Sequence, residues 1–142
     1  MIATGVITLD QLTKHWALNA LGEGHRIDVV WTLRFNLAFN KGTAFSQGEW
    51  LGPVIPILAI GIAVILLRSV RRTPNPLFGA AAGLVIGGAL GNVIDRLFRN
   101  ERWFQGAVVD FIDLQWWPIF NLADVAVVVG GGLLVLRILR ES

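Results

Sequence analysis

Two pairs of polar residues with the same spacing stand at the ends of long apolar runs. Asn92 precedes Asp95 by three positions, and Asn121 precedes Asp124 by three positions. On a helix, residues three apart lie on one face, so each Asn and its Asp point the same way. A carboxylate within or beside a membrane-length apolar run is a functional-site hypothesis by default, because its burial is costly. The two pairs therefore predict one polar site shared by consecutive helices.

Two carboxyl groups at such a site can divide acid and base chemistry between them. In a medium of low dielectric constant they cannot both ionise cheaply, so one keeps a proton at neutral pH. The ionised group can deprotonate a water molecule while the protonated group donates to a carbonyl oxygen, which is the arrangement of an aspartic peptidase. This predicts Asp95 and Asp124 as the catalytic pair. Asn92 and Asn121 would orient the carboxylates or hold the substrate backbone.

Each acid also has a structural interpretation. Asp95 could form a helix-end ion pair with Arg96, and Asp124 could be a first-turn acid favoured by the helix dipole. The matched spacing of the two Asn–Asp pairs favours the functional interpretation. Asp110 and Asp113 lie between the two pairs and are interpreted as solvated or capping residues in a loop beside the site, not as catalytic ones.

Composition excludes several classes of protein. The chain has 142 residues, which suits a single domain, and its 54% hydrophobic and 15% charged content indicates a membrane protein. The net charge is +2, and no basic run with interleaved aromatics predicts nucleic-acid binding. The sequence contains no cysteine and two histidines, which argues against disulfides, a thiol nucleophile or a Cys- or His-rich metal site.

Hydropathy along the chain predicts a mainly α-helical membrane domain over residues 1–142, with a four-helix transmembrane bundle and a small extracytoplasmic β-sheet. The predicted helices cover approximately 2–21, 51–69, 77–97 and 119–139. Residues 22–50 and 98–118 lie outside the membrane, and strand-like runs occur at 27–35 and 107–112. The six Trp residues are expected to be interface anchors, not a ligand cage.

The first helix contains a charged pair. Asp10 and Lys14 are spaced i, i+4 and can pair on one face, which reduces the cost of burying each. The pair either makes a polar seam tolerable or braces a polar bundle interior, and the sequence leaves both open. Because these charges interrupt the apolar stretch and no basic start precedes it, we expect this segment to belong to the mature protein and not to a cleavable signal.

The distribution of arginines predicts the orientation in the membrane. Four spans put both termini on one side, and the short, acid-free link containing Arg68, Arg71 and Arg72 predicts that this side is cytoplasmic. Helical rise places Asp95 about 27 Å along its helix, near the outer edge of a core roughly 30 Å thick. Asp124 lies at a similar depth on the neighbouring antiparallel helix, so the two carboxylates are expected to meet near the outer face.

Five motifs in order resemble the bacterial signal peptidase II (lipoprotein signal peptidase) family. They are DQLTK at 10–14, NKGTAF at 40–45, GNVIDR at 91–96, VVDFI at 108–112 and FNLAD at 120–124. A single motif of this kind would be weak, whereas five in this order over nearly the whole chain are specific. Thr43 departs from the family pattern, which usually has Ala at this position.

The resemblance implies a four-helix inner-membrane aspartic peptidase with a small periplasmic β-cradle. It implies a monomer that uses no metal or nucleotide cofactor and cleaves diacylglyceryl-modified prolipoproteins just before the lipidated cysteine. Within the membrane lipid, the acyl chains would bring the scissile bond to the required depth. The resemblance assigns catalysis to Asp95 and Asp124. It also implies further residues that line the substrate site or support it structurally, namely Asn40, Gly42, Asn92, Arg96, Asn121, Asp10 and Lys14.

Two other classes of function fit part of the sequence. In a small proton-coupled transporter or channel, Asp95, Asp124 and the Asp10–Lys14 pair would form a proton path, but the carboxylates cluster near one face and no inverted repeat is evident. In a non-catalytic scaffold, Gly83, Gly87 and Gly91 would pack partner helices, which does not explain the matched Asn–Asp pairs. Turnover of a lipidated substrate, proteoliposome flux, and function retained after Asp-to-Asn changes would separate the three.

Overall fold

The computed structural model describes residues 1–42, 51–73, 75–99 and 106–141. These residues form four long α-helices, one 3₁₀ turn at Gly22–Gly24 and three β-strands. In chain order they are α1 (Ile2–Ala20), β1 (Arg26–Val30), β2 (Leu33–Asn40), α2 (Leu51–Arg72), α3 (Pro76–Phe98), β3 (Val108–Asp113) and α4 (Leu122–Glu141). The predicted combination of four helices with a small sheet is confirmed.

Three of the described helices are long and apolar enough to cross a membrane. The qualifying segments are Val54–Arg72, Pro76–Phe98 and Leu122–Arg140. Helix α1 is not among them, because polar residues such as Asp10, Gln11 and Lys14 lower its mean hydropathy. That α1 also spans the membrane stays a prediction.

Local sequence explains where the helices begin and end. Helix α3 starts after Asn75, whose side chain accepts a hydrogen bond from the backbone N–H of Phe78 at 3.0 Å, and Pro76 occupies the first turn. Helix α2 continues to Arg72, past the predicted end at 69. Arg71 and Arg72 lie in its last turn, where the helix dipole favours positive charge.

Helix α3 is the central helix and contacts α1, α2 and α4. Glycines permit the close approach. A Cβ atom added at Gly130 of α4 would lie 2.7 Å from the carbonyl oxygen of Ala81 in α3, and one added at Gly91 would lie 2.7 Å from Oδ2 of Asp10 in α1. Only a residue without a side chain fits at these two contacts, so glycines allow the three helices to approach closely, and the contact at Gly91 lies beside the polar side chain of Asp10.

The three strands form an antiparallel sheet in the order β1-β2-β3. Strands β2 and β3 pair Arg34 with Asp113 and Ala38 with Asp110. The strand-like run predicted at 27–35 is divided in two, because Trp31 adopts a φ of 53° in the turn between β1 and β2. The register places the end of β2 beside the start of β3.

An aromatic cluster joins the sheet to α1. The ring of Trp16 packs edge-on against Phe35 at 5.2 Å and against Phe111 at 6.0 Å between ring centroids. Ala17 and Leu21 are buried against the same Phe111. Trp16 therefore contributes to the junction between helix and sheet, a role that the interpretation of every Trp as an interface anchor omitted.

Candidate active site

The N-terminal end of α4 carries a reciprocal pair of hydrogen bonds. The Asn121 side-chain oxygen accepts from the backbone N–H of Asp124 at 3.0 Å, and the Asp124 carboxylate accepts from the backbone N–H of Asn121 at 3.1 Å. This is a capping box, which satisfies amides that the start of a helix leaves without partners. The box starts α4 at Leu122, not at the predicted 119, and fixes both side chains of the Asn-x-x-Asp motif.

A backbone ladder holds β3 beside this helix start. Phe120, directly before the cap, donates its N–H to the carbonyl of Ile112 at 3.1 Å. The Phe120 carbonyl accepts from Phe111 at 3.0 Å and from Ile112 at 2.9 Å. The chain that leaves β3 therefore returns to pair with it immediately before α4. Asp110, two residues before Ile112, is brought next to Asn121 by this return.

Asn121 connects two carboxyl groups. Its Nδ2 donates to Oδ1 of Asp110 at 2.6 Å, while its Oδ1 is occupied by the amide of Asp124. The Asn40 side chain, on the neighbouring strand β2, also hydrogen-bonds to Asp110. Asp110 is 2% exposed and Asp124 is half-buried. Within the described residues, Asp110 and Asp124 thus form a carboxyl pair linked by Asn121, whose side-chain Nδ2 donates to Asp110 and whose backbone N–H donates to the Asp124 carboxylate.

The interpretation of Asp110 and Asp113 as solvated loop residues is wrong, although Asp113 does cap the turn after β3 by accepting from the backbone N–H of Gln115 at 2.7 Å. Both lie in β3, and Asp113 is 4% exposed. Asp113 binds Nε of Arg34 at 2.7 Å and accepts from Asn36 at 3.2 Å across the sheet. Asp113 therefore joins two strands, whereas Asp110 belongs to the polar site.

Asn92 contributes the α3 side of the site. Its Nδ2 donates to Oδ1 of Asp124 at 2.8 Å, and its Oδ1 accepts from Nδ2 of Asn121 at 3.1 Å. Asn92, Asn121 and Asp124 are thus brought together as predicted. The two amides form a continuous chain between Asp124 and Asp110.

A buried ion cluster, consisting of Asp10, Lys14, Asp95 and Arg99, lies next to this pair. The Lys14 ammonium is 2.8 Å from Asp10 and 2.8 Å from Asp95, and all three side chains are 0% exposed. The predicted i, i+4 pair of Asp10 and Lys14 is therefore present. Asp10 also accepts from the backbone N–H of Ala123 at 3.0 Å, which joins α1 to α4.

Asp95 is saturated with hydrogen-bond donors from this cluster and its surroundings. Its Oδ1 accepts from Arg99 at 2.7 Å and from Gln11 at 3.2 Å. Its Oδ2 accepts from Lys14 at 2.8 Å and from the backbone N–H of Val109 at 3.1 Å. An ionised carboxylate has about four acceptor positions, and here all four are used. Asp95 therefore anchors β3 through Val109, the neighbour of Asp110.

This geometry differs from the predicted pairing of Asp95 with Asp124. Asp95 faces Lys14 and Arg99, and the carboxyl group that shares Asn121 with Asp124 is that of Asp110. The ion pair of Asp95 with Arg96, the structural alternative, is replaced by the ion pair with Arg99 one turn further along α3. A catalytic role for Asp95 stays a prediction, and the geometry favours Asp110 in its place.

Arg96 and the Asn40–Gly42 turn complete the site. The Arg96 guanidinium interacts electrostatically with Asp110 and Asp124, and its buried Nε has no hydrogen-bond partner among the described residues. Asn40 accepts from the backbone N–H of Gly42 at 2.8 Å, and Gly42 has a φ of 74°. A Cβ at Gly42 would lie 3.5 Å from Nη2 of Arg96. The rest of this motif, 43–45, with the Thr43 departure, lies outside the described residues.

The electrostatics favour one proton shared by the carboxyl pair. Burial raises the pKa of Asp110 to about 6, and the nearby Asp124 carboxylate adds to the rise. The described polar interior holds four carboxyl groups and three cations, which are Asp10, Asp95, Asp110, Asp124, Lys14, Arg96 and Arg99. One proton bound to a carboxyl group therefore makes the net charge of these seven residues zero. Asp110 is the carboxyl group placed to hold it.

Sequence reasoning missed Asp110 in this site, and it missed Gln11 and Arg99, which bind Asp95 in and around the neighbouring ion cluster. The signal for Asp110 was available: Val108, Val109 and Phe111 surround it with apolar side chains, so its carboxyl group had to be buried. The signal for Arg99 was its i, i+4 spacing from Asp95. The return of Phe120 onto β3 has no local sequence signal.

Comparisons with known proteins span nearly the whole chain. A family model described as signal peptidase (SPase) II matches residues 2–140. The lipoprotein signal peptidase of Mycobacterium tuberculosis (strain ATCC 25618 / H37Rv) is 38% identical over 136 residues, which cover 95% of this chain and 67% of that protein. The lipoprotein signal peptidase of Mycobacterium avium (strain 104) is also 38% identical over 136 residues, covering 95% of this chain and 75% of that protein.

Two solved structures of bacterial membrane enzymes, determined by the in meso method, have the same fold. The one at 2.3 Å resolution has a TM-score of 0.85 and 30% sequence identity, and the similarity covers 99% of this chain and 86% of that one. The one at 1.9 Å resolution has a TM-score of 0.86 and 29% identity, and it covers 99% of this chain and 92% of that one. Both similarities include the four helices and the sheet that build the site.

Proposed function

The chain belongs to the signal peptidase II family and is a multi-pass bacterial membrane peptidase, and on that premise we propose that Asp110 and Asp124 are its catalytic pair. The reaction is removal of the signal peptide from diacylglyceryl-modified prolipoproteins, on the N-terminal side of the lipidated cysteine. The observation that carries this assignment is that Asn121 donates to both carboxyl groups, through its side-chain Nδ2 to Asp110 and through its backbone N–H to Asp124.

The two carboxyl groups take different roles because their surroundings differ. Asp124 lies in the first turn of α4, where the helix dipole favours negative charge, and it accepts N–H donors from Asn92 and Asn121. Asp110 is the more deeply buried group, and its pKa is raised to about 6. The raised pKa favours the protonated form of Asp110, so we assign Asp110 as the acid and Asp124 as the base.

The reaction then needs only these two groups and one water molecule. Asp124 accepts a proton from the water as its oxygen bonds to the scissile carbonyl carbon, and Asp110 donates its proton to the carbonyl oxygen. As the tetrahedral intermediate collapses, a hydroxyl of the intermediate gives its proton to Asp110 and becomes the carbonyl, the C–N bond breaks, and Asp124 gives its proton to the departing amine. Asp110 is reprotonated in this step, and the products are a free signal peptide and a lipoprotein with a new N-terminal cysteine.

The substrate reaches the site from the membrane. Its diacylglyceryl group partitions into the bilayer and holds the scissile bond at the depth of the helix ends. Asn40, Gly42 and Arg96 surround the carboxyl pair and are suited to bind the substrate backbone through N–H donors and an amide oxygen.

We place the enzyme in the inner membrane with the sheet and the carboxyl pair at the outer face and both termini in the cytoplasm. The support is the position of the described arginines. Arg68, Arg71 and Arg72 lie at the end of α2, and Arg137 and Arg140 lie at the end of α4, both opposite the sheet. The link after α2 is short and free of acidic residues, and basic residues in short loops favour the cytoplasmic side.

Cleavage of a diacylglyceryl-modified prolipoprotein by purified protein in lipid tests the assignment. The wild-type chain is expected to shift the substrate on a gel, and the Asp110→Asn and Asp124→Asn chains are expected to lose at least about a thousandfold in kcat, since each removes one partner of the acid–base pair. Thermal unfolding confirms that each variant is folded.

Asp113→Asn is the matched control, because Asp113 lies on the same strand and is also buried but binds Arg34 outside the carboxyl pair. It is expected to keep turnover within about threefold, as is usual for a residue that contacts no reacting atom. Near-wild-type turnover by a folded Asp110→Asn chain would refute the proposed pair and return Asp95 to consideration. Absence of cleavage by the wild-type chain would refute the proposed reaction itself.

A further inference from the structure

Lys14 makes a contact that its ion pairs do not explain. Besides Asp10 and Asp95, its ammonium donates to Oδ1 of Asn92 at 2.9 Å. Asn92 is the residue whose Nδ2 donates to Asp124 at 2.8 Å. Lys14 itself contacts neither Asp110 nor Asp124 by a described hydrogen bond. It lies at the junction between the buried ion cluster and the carboxyl pair.

The identity of these groups fixes the orientation of the Asn92 amide. An ammonium has three N–H donors and no acceptor, so only the oxygen of Asn92 can face Lys14. The nitrogen of the amide must then face the opposite side, where it meets Asp124. Asn121 agrees with this orientation, because its own oxygen binds the Asp124 amide and its nitrogen therefore faces Oδ1 of Asn92.

We propose that Lys14 is a positioning residue for peptide hydrolysis: held by Asp10 and Asp95, its ammonium orients Asn92 so that the amide NH₂ is donated to Asp124. The inference rests on the proposed role of Asp124 as the base. A rotated Asn92 would present its oxygen to the carboxylate, which repels it, and the base would lose its placement.

Charge explains why a lysine serves this purpose in a membrane protein. The ammonium is neutralised by two carboxylates at 2.8 Å, and its third N–H is left for Asn92. Three fixed acceptors at one buried ammonium leave it a single position. The ion cluster thus affects catalysis by fixing the orientation of the Asn92 side-chain amide, and it does not contact the reacting atoms.

The test compares Lys14→Gln with Arg99→Gln in the prolipoprotein cleavage assay, with kcat and KM measured separately. Both substitutions remove one cation that neutralises Asp95, but Arg99 does not contact Asn92 in the described structure. Lys14→Gln is expected to lower kcat about tenfold or more at a KM within about twofold, the size of one hydrogen bond to a charged group. Arg99→Gln is expected to lower thermal stability and to retain kcat per folded molecule.

A double-mutant cycle with Asn92→Ala separates orientation from direct action of the Lys14 charge. If Lys14 acts through Asn92, Lys14→Gln costs little further kcat in the Asn92→Ala chain, so the two losses are not additive. If Lys14→Gln costs the same in both backgrounds, or if Lys14→Gln and Arg99→Gln lose kcat equally, the inference is wrong although the proposed function stands. A wild-type chain that leaves the substrate uncut would refute both.

Asn92→Asp keeps the test decisive if the Lys14→Gln chain does not fold. A carboxylate at this position accepts from Lys14 and Asn121 with the same shape, but it cannot donate to Asp124. The inference expects a folded chain whose kcat falls at least as far as that of Asn92→Ala. Retained kcat in Asn92→Asp would overturn it.

Discussion

At the scale of single residues, Asn121 does what no charged residue could do at this position. Its oxygen caps α4 through the amide of Asp124, while its nitrogen donates to Asp110 and to Asn92. An aspartate could accept the capping hydrogen bond but could not donate. One amide therefore sets the helix start and the spacing of the two carboxyl groups together, which couples the fold of α4 to the geometry of the site.

The raised pKa of Asp110 makes protein stability depend on pH. The folded pKa of about 6 lies above the unfolded value of 3.8, so between these values the folded chain binds more protons than the unfolded chain. The free energy of unfolding therefore falls as pH rises from about 4 to 6, by about 3 kcal/mol for two pKa units. Relative to wild type, Asp110→Asn should gain about 2 kcal/mol at pH 8 over pH 4.5, because part of the change lies below pH 4.5, and thermal or denaturant unfolding in detergent measures it.

Asp113→Asn should change stability with the opposite sign. Although burial raises the pKa of Asp113, hydrogen bonds from Arg34 and from the Gln115 backbone lower it below its ordinary value overall. Its stabilising contribution is present above the unfolded pKa and is lost as pH falls through the folded pKa. Relative to wild type, Asp113→Asn is therefore expected to lose stability as pH rises, measured by the same unfolding experiment. A gain in stability with rising pH, as expected for Asp110→Asn, would contradict the opposite pKa shifts of the two residues.

The sequence identified most of the site but misjudged which carboxyl group faces Asp124. Asn121 and Asp124 are together because their spacing acts locally at one helix start, and Asn92 reaches both through the packing of α3 against α4. Equal spacing made Asp95 look equivalent to Asp124, but Asp95 lies inside α3 with a cation one turn away, whereas Asp124 belongs to a capping box. Asp110 reaches the site through pairing between Phe120 and Ile112, which only tertiary structure reveals.

At the scale of elements, the sequence predicted the number of helices correctly, but it predicted where the helices begin and end less accurately. Apolar runs predicted four helices because membrane-length segments have a strong compositional signal. The start of α4 moved from 119 to Leu122 because a side-chain cap overrides hydropathy at the first turn. The strand-like run at 27–35 became two strands, because a positive φ at the aromatic Trp31 is set by the turn and not by propensity.

Two adjacent glycines of α4 provide a matched test of how α3 and α4 pack. A Cβ at Gly130 would lie 2.7 Å from the Ala81 carbonyl oxygen, whereas one at Gly131 meets no described atom within 4 Å. Gly130→Ala is expected to destabilise the protein by about 1–3 kcal/mol through overpacking, and Gly131→Ala to hold or slightly raise its stability through helix propensity. Thermal unfolding of both chains in the same detergent measures the difference. Equal midpoints would show that this contact is not tight.

At the scale of the whole molecule, the polar chemistry is concentrated at one end of the bundle. The sheet, the ion cluster and the capped start of α4 meet there, while the arginines of α2 and α4 lie at the other end. The peptidase class predicted from the motifs is confirmed by the family to which the chain belongs. The transporter alternative requires the buried carboxylates to form a proton path. In the described structure two of these carboxylates, Asp10 and Asp95, are instead held in ion pairs with Lys14.

The proposed orientation can be tested with single cysteines, because the chain has none of its own. Asp28 is exposed on β1 at the end that carries the sheet, and Thr73 is exposed just after α2 at the arginine-rich end. A membrane-impermeant maleimide added to spheroplasts should label the Asp28→Cys chain and should label Thr73→Cys only after detergent opens the membrane. This follows from the positive-inside rule. Retained prolipoprotein cleavage verifies that each variant is folded, and the reversed labelling pattern would place the carboxyl pair on the cytoplasmic side, where our proposal does not allow it.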